Sequence, residues 1–281
     1  MRMIASEFRR WDAKSITLLG MSGVGKTYLS SRLRQAHWFH YSADYRIGTR
    51  YLSEPILDNI KRQAMQITFL RDLLRSDSIY ISNNITVDNL TAVLTFLGKL
   101  GDPGRGGLAR EEFTHRQQLY RDAEVAAMLD VPEFITKARN IYGYRDFIND
   151  SAGSLCELDE PQVLEVLAKH TLILYIEATE ENGRELLRRA EADPKPLYYR
   201  TEFLNTELAR FMVLRGISHS AQINPDDFVL WMFPRLFQAR TPRYEAIARQ
   251  YGYTIRADVL APVNTEAEFL ACVEEVLSND A

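Results

Sequence analysis

ITLLGMSGVGKTYLS, from Ile16 to Ser30, carries a short apolar segment into a glycine-rich turn, then a lysine and a threonine. SITLLG predicts a short buried strand, and KTYLSSRLRQA predicts a helix that begins at the turn. Between them, Gly20 to Thr27 read GMSGVGKT, which is Gly, four residues, Gly, Lys, Thr, in the required setting of strand before and helix after. Small residues let the backbone N–H groups of Gly20, Met21, Ser22, Gly23, Val24 and Gly25 turn inward around phosphate oxygens, and the helix start adds a favourable dipole. Lys26 can reach the β- and γ-phosphates, and Thr27 can place its hydroxyl on Mg²⁺. Tyr28, next in the helix, completes the expected nucleotide-binding set.

Working outward, WFHYS predicts a second strand, followed by a loop, ADYRIGTRYL, and one long helix from Leu57 to Leu74. SIYI is either a strand or a helix exit. The segment from about 82 to 140 predicts a mainly helical insertion, forming a lid or acceptor region. It includes LTAVLTFLGKL, the exposed, mobile loop GDPGRGG and a highly charged amphipathic helix, REEFTHRQQLYRDAEVAAMLD. YRDFIND and TLILYIEA predict further strands, with the helix EPQVLEVLAKH between them. A helix capped by Thr179 follows. Helices are then expected at Thr201–Leu214 and Asp226–Tyr251, the latter bent or divided by Pro234 and Pro242. YTIRADVLAP returns as a short strand or loop and TEAEFLACVEEVLSN closes as a helix. Strands alternating with helices predict an α/β three-layer sandwich with a parallel central sheet, its core formed by residues 1–81 and 141–281.

The 281 residues are 46% apolar and 26% charged, with a net charge of −4, which is ordinary for a globular protein and lacks the basic excess of a nucleic-acid binder. Cys156 and Cys272 have no metal-ligand spacing, and His115 and His170 stand apart, so no structural zinc is expected. The opening MRMIASEFRRWDAK has charges where a signal peptide needs an apolar core, and no run reaches about 18 apolar residues. The expectation is a cytoplasmic protein without membrane contact, a monomer or homodimer.

A GTP switch would show a guanine-reading NKxD segment, and a motor ATPase a long apolar strand ending in two acids; neither is present. The chain resembles the small-molecule P-loop kinases, especially shikimate kinase, gluconate kinase and their nucleoside-kinase relatives. The cradle matches. YSADYRIG is similar to their DxDxxI segment, with Asp44 and Ile47 in place and Ser42 where the first aspartate stands. The resemblance implies that Asp44 binds Mg²⁺ or orients the acceptor, and that Arg46 binds an acidic acceptor. LILYIEATEENGRELLRRAEADPKPLYY is similar to the fourth strand, helix and lid of such kinases. Lys195 takes the place of the lid arginine, with Arg184, Arg188 and Arg189 nearby. RTPRYEAIARQYGYTI is similar to their terminal region, placing Arg240 and Arg243 near phosphate or adenine. ATP and Mg²⁺ are the implied cofactors.

Independently of any family, a carboxylate at the carboxyl end of a strand suits an open parallel sheet, which binds ligands along that edge. Asp44 and Asp150 meet the condition, as Mg²⁺ ligand or catalytic base; the alternative for Asp150 is helix capping. RELLRR is either a phosphate-facing set or a solvated helix face. Asn83 and Asn84 either read acceptor hydroxyls or cap the following helix. The leading expectation is an ATP-dependent kinase moving the γ-phosphoryl group to a small polar acceptor. The alternative is a regulatory ATPase with a protein partner on the helix from Arg110 to Asp130.

Overall fold

The computed structural model describes residues 2–279. Its strands are β1 (Ser15–Leu19), β2 (Trp38–Ser42), β3 (Asp146–Asp150), β4 (Leu172–Glu177) and β5 (Gly252–Arg256). They form one all-parallel sheet in the order β2-β3-β1-β4-β5. The helices are α1 (Ala5–Arg10), α2 (Lys26–Gln35), α3 (Ala43–Arg46), α4 (Ser53–Ala64), α5 (Thr68–Arg75), α6 (Thr91–Leu97), α7 (Arg110–Leu129), α8 (Val131–Asn140), α9 (Pro161–His170), α10 (Glu180–Ala192), α11 (Thr201–Arg215), α12 (Pro225–Tyr251), α13 (Ala257–Leu260) and α14 (Glu266–Asn279).

β1 and β3 are buried along their whole length, as a parallel sheet covered on both faces requires. The strand period of two sorts side chains between two layers. Leu172, Leu174 and Ile176 of β4 join Phe8, Leu29, Leu33, Phe269 and Val273 of α1, α2 and α14. Ile173 and Tyr175 face the other way, into a core with Ala127, Met128, Ile135, Leu167 and Tyr244 of α7, α8, α9 and α12. A satellite cluster gathers Phe113, Leu204, Leu208, Phe211, Phe228 and Met232 between α7, α11 and α12. The result is the expected three-layer α/β fold.

The sheet order also places the site. From β1 the chain passes through α2 to the far strand β2, and from β3 it crosses to β4 on the opposite side. Connections therefore diverge between β1 and β3, where an open parallel sheet leaves a crevice at its carboxyl edge. Leu18 of β1 lies opposite Asp150 of β3, and Ser42 of β2 lies opposite the same residue.

Two local expectations are corrected and two are narrowed. The loop ADYRIGTRYL is helical: the Ser42 hydroxyl accepts from the Tyr45 N–H at 3.3 Å, and α3 then widens into a π-turn over Ile47–Tyr51. Gly48 lets that turn pack closely on Val93 of α6, since a Cβ there would fall 2.6 Å from its Cγ2. The helix expected from Leu57 to Leu74 is two, separated where Ile67 adopts an extended conformation. α12 runs undivided through Pro234 and Pro242. Beside each proline a side chain donates to a helix carbonyl, Arg235 to Trp231 at 2.8 Å and Thr241 to Phe237 at 3.0 Å. GDPGRGG is tied down, with the Asp102 N–H donating to Ile223 O at 2.8 Å and the Gly107 N–H to Asp102 O at 2.9 Å.

Candidate functional site

The turn after β1 exists because its glycines accept backbone shapes closed to other residues. Gly23 and Gly25 have φ of +88° and +105°, and Gly25 is the left-handed N-cap of α2. At Gly20 a Cβ would fall 2.8 Å from the Ile176 carbonyl oxygen of β4. The Lys26 side chain folds back across the turn and donates to Gly20 O at 2.7 Å and Met21 O at 3.0 Å. Burial lowers the pKa of its ammonium, while the charges of Asp150 and Asp44 oppose that shift.

Asp150 closes β3 and is buried. The buried His40 ring, on β2, brings Nε2 to 3.4 Å from its Oδ2. Asp44 is the second residue of α3, two positions beyond the end of β2, and accepts a hydrogen bond from the Tyr120 hydroxyl at 3.2 Å. Its carboxyl is pushed up to about 6, by burial first and then by the Asp150 charge, against the pull of Lys26 and Tyr120. The structure thus brings Lys26, Asp44 and Asp150 into one electrostatic cluster. Thr27 sits solvent-exposed in the first turn of α2.

Two carboxylates that repel each other in a partly desolvated recess fit a divalent cation. Mg²⁺ in particular takes one or two carboxylates together with phosphate oxygens instead of a closed protein cage. Among the described residues no group of three or more His, Cys, Asp or Glu side chains forms such a cage.

Arg188 and Lys195 line a cleft of about 440 Å³ with Ser22 and Gly23 of the turn, Leu186 and Phe233. Arg188 is paired with Glu185 at 2.8 Å and Lys195 with Asp193 at 3.5 Å. Arg184 is exposed, 3.9 Å from Glu180. Arg240 is buried and holds protein backbone, donating from Nη1 to Gly153 O at 2.7 Å and from Nη2 to Tyr198 O at 2.8 Å. Arg243 donates to Cys156 O at 2.7 Å and pairs with Asp159. Arg46 is engaged with Asp130 at 2.8 Å and lies over the Phe134 ring. Asn83 donates to the Ser53 hydroxyl at 3.1 Å, and Asn84 is exposed.

Three contributors escaped the sequence reading. Gly153, in the turn after Asp150, lies so close to the cradle that a Cβ there would fall 2.8 Å from the Ser22 nitrogen. Tyr120 and Glu124 come from α7, which reads as a charged surface helix. A signal was present: Phe113, Arg116, Gln117, Tyr120, Ala123, Glu124 and Ala127 are all buried at helical spacing, so several polar residues occupy core positions.

No protein-family model matches the chain, and no curated protein matches it. Among solved structures it is similar to shikimate kinase from Bacteroides thetaiotaomicron, at 16% identity and a TM-score of 0.41, over 93% of this chain and 95% of that one. It is also similar to shikimate kinase from Acinetobacter baumannii in complex with shikimate, at 15% identity and a TM-score of 0.42, over 98% of each chain. The fold assignment itself rests on the parallel sheet, its strand order and the glycine turn. Among the described residues no helix is long and apolar enough to cross a membrane.

Proposed function

We propose that the chain is a Mg²⁺- and ATP-dependent phosphotransferase acting on a small polar acceptor. The observation that carries this reading is the gathering of Lys26, Asp44 and Asp150 at the β1/β3 crevice, directly beside the glycine turn. The backbone amides from Gly20 to Thr27 hold the phosphates, and the Lys26 ammonium exchanges its two carbonyl acceptors for phosphate oxygens. Thr27 and Asp150 would hold Mg²⁺, which would supply positive charge to the transferring phosphates.

In this reading an acceptor hydroxyl oxygen forms a new bond to the γ-phosphorus as the bond to the β–γ bridging oxygen breaks. ADP departs with that electron pair. The acceptor's proton passes to Asp44, the carboxylate that the Tyr120 hydroxyl holds at 3.2 Å. Arg188 and Lys195, lining the cleft next to Ser22, are the side chains that can move onto the transferring charge. Helices α6 to α8, between β2 and β3, form the acceptor side.

The test is a screen of Mg²⁺·ATP consumption over metabolite pools, with Lys26→Ala as control. ADP formation that depends on one pool and is lost in Lys26→Ala supports the reading. ADP formation equal with and without every pool replaces it with an ATPase, and no ADP at all overturns it.

A further inference from the structure

The α7 helix reaches both carboxylate carriers of the proposed site with two residues one turn apart, on the same helix face. Tyr120 donates to Asp44 at 3.2 Å, and its ring is fixed by stacking on Tyr198, centroids 5.8 Å apart. Glu124 is fully buried and accepts from the Ser154 hydroxyl, which belongs to the turn directly following Asp150. Its other oxygen has no partner. The Ser154 hydroxyl also faces the Tyr120 phenol. One helix thus braces the first turn of α3 and the turn after β3 through a continuous set of Asp44, Tyr120, Ser154 and Glu124.

A buried acid is costly, and on this face Glu124 stands with Arg116, Gln117 and Tyr120 among the buried polar side chains. Its surroundings show what the cost maintains: Glu124 feels the charges of Asp44, Arg240 and Lys26, the same groups that surround the phosphate turn.

We propose that Tyr120 and Glu124 are positioning residues for phosphoryl transfer: Tyr120 directs the Asp44 carboxylate, and Glu124, through Ser154, fixes the turn that leaves Asp150. The inference rests on the transferase reading and extends it to a helix that touches no phosphate. Burial pushes the Glu124 carboxyl up to about 8, so it holds its proton at neutral pH, and a glutamine can take over its acceptor role.

The experiment compares Tyr120→Phe, Ser154→Ala, Glu124→Ala and Glu124→Gln with the wild type in the full chain, measuring kcat, KM and calorimetric ATP affinity. Tyr120→Phe, Ser154→Ala and Glu124→Ala are expected to lower kcat about tenfold or more while ATP affinity changes no more than about twofold. Glu124→Gln, which keeps an oxygen for Ser154, is expected to restore most of what Glu124→Ala loses. The proposal is overturned if Tyr120→Phe turns over as wild type, if the loss falls on ATP affinity, or if Glu124→Gln is as impaired as Glu124→Ala. A wild type that binds Mg²⁺·ATP but consumes none overturns the transferase reading separately. Crystal structures of Tyr120→Phe and Ser154→Ala then judge the positioning role. An Asp44 carboxylate turned away and a shifted 151–154 turn support it, and unchanged positions overturn it.

Discussion

The Lys26 ammonium donates to the carbonyl oxygen of Gly20, six residues earlier, at 2.7 Å. The side chain therefore lies along the floor of the turn it belongs to, held where a phosphate oxygen would compete for it. Lys26→Ala removes the one buried cation of the turn itself and leaves Asp44 and Asp150 facing each other. We expect ATP turnover to fall about 100-fold or more, measured as ADP release, since charge stabilisation at the transferred group is commonly worth that much. Turnover within about threefold of wild type would remove Lys26 from the chemistry.

Gly153 offers a test that adds only one carbon. A Cβ there would meet the Ser22 nitrogen at 2.8 Å and its Cα at 3.2 Å, both backbone atoms that cannot swing aside. Gly153→Ala should push the cradle out of shape and weaken ATP binding about tenfold or more by calorimetry, a change of roughly 1.4 kcal/mol. Unchanged affinity would mean that the two turns are not mechanically joined.

Stability at the centre of the sheet depends on Thr17. Thr171 donates its proton to Leu167 O, so Thr17 donates to Thr171 at 2.8 Å and accepts from the Asn149 amide at 3.1 Å. Thr17→Val keeps the shape but takes the oxygen acceptor from the fully buried Asn149 amide, leaving it the weak acceptor Met128 Sδ at 3.8 Å. A loss of about 1–3 kcal/mol is expected from urea unfolding, and an unchanged midpoint would refute it.

The pH dependence of folding can be read at Glu124. Its folded carboxyl stands near 8 against an ordinary 4.5, raised by burial and held back chiefly by Ser154. Between those values the folded chain binds more protons than the unfolded one, so this group's contribution falls as pH rises through the window. Glu124→Gln removes the effect. Its melting temperature should match wild type near pH 4.5 and exceed it increasingly towards pH 8, by roughly 2–4 °C for each kcal/mol. Parallel melting curves across that range would contradict the assignment.

What could be read from the chain follows the distance over which each feature is encoded. The cradle is complete within eight consecutive residues, and β1 announces it. β4 reads as a strand because both its faces are covered, leaving an unbroken apolar run. Asp150 was visible as an acid ending a strand, although its place beside β1 depends on pairing across more than 130 residues. Glu124 was hidden for a different reason: a charged residue on a charged helix looks solvated until Ser154, thirty positions away, comes up against it. The prolines of α12 suggested a break because local propensity counts the lost N–H and not the packing of Phe228, Met232, Leu236 and Tyr244, which are buried along the same helix. Ser42 stood out as a departure from the kinase pattern, and the structure gives it a local task, capping α3 just ahead of Asp44.

The Gly153 carbonyl has both lone pairs filled, by Arg240 at 2.7 Å and Tyr244 at 2.6 Å, two side chains from a single helix. A peptide clamped from two directions cannot rotate without breaking both bonds, and the peptide it clamps abuts the nucleotide turn. On the proposed reading, nucleotide would meet a finished mould, with little chain disorder left to surrender on association. Calorimetry should accordingly find a small heat-capacity change and an entropy of binding close to that of two rigid bodies.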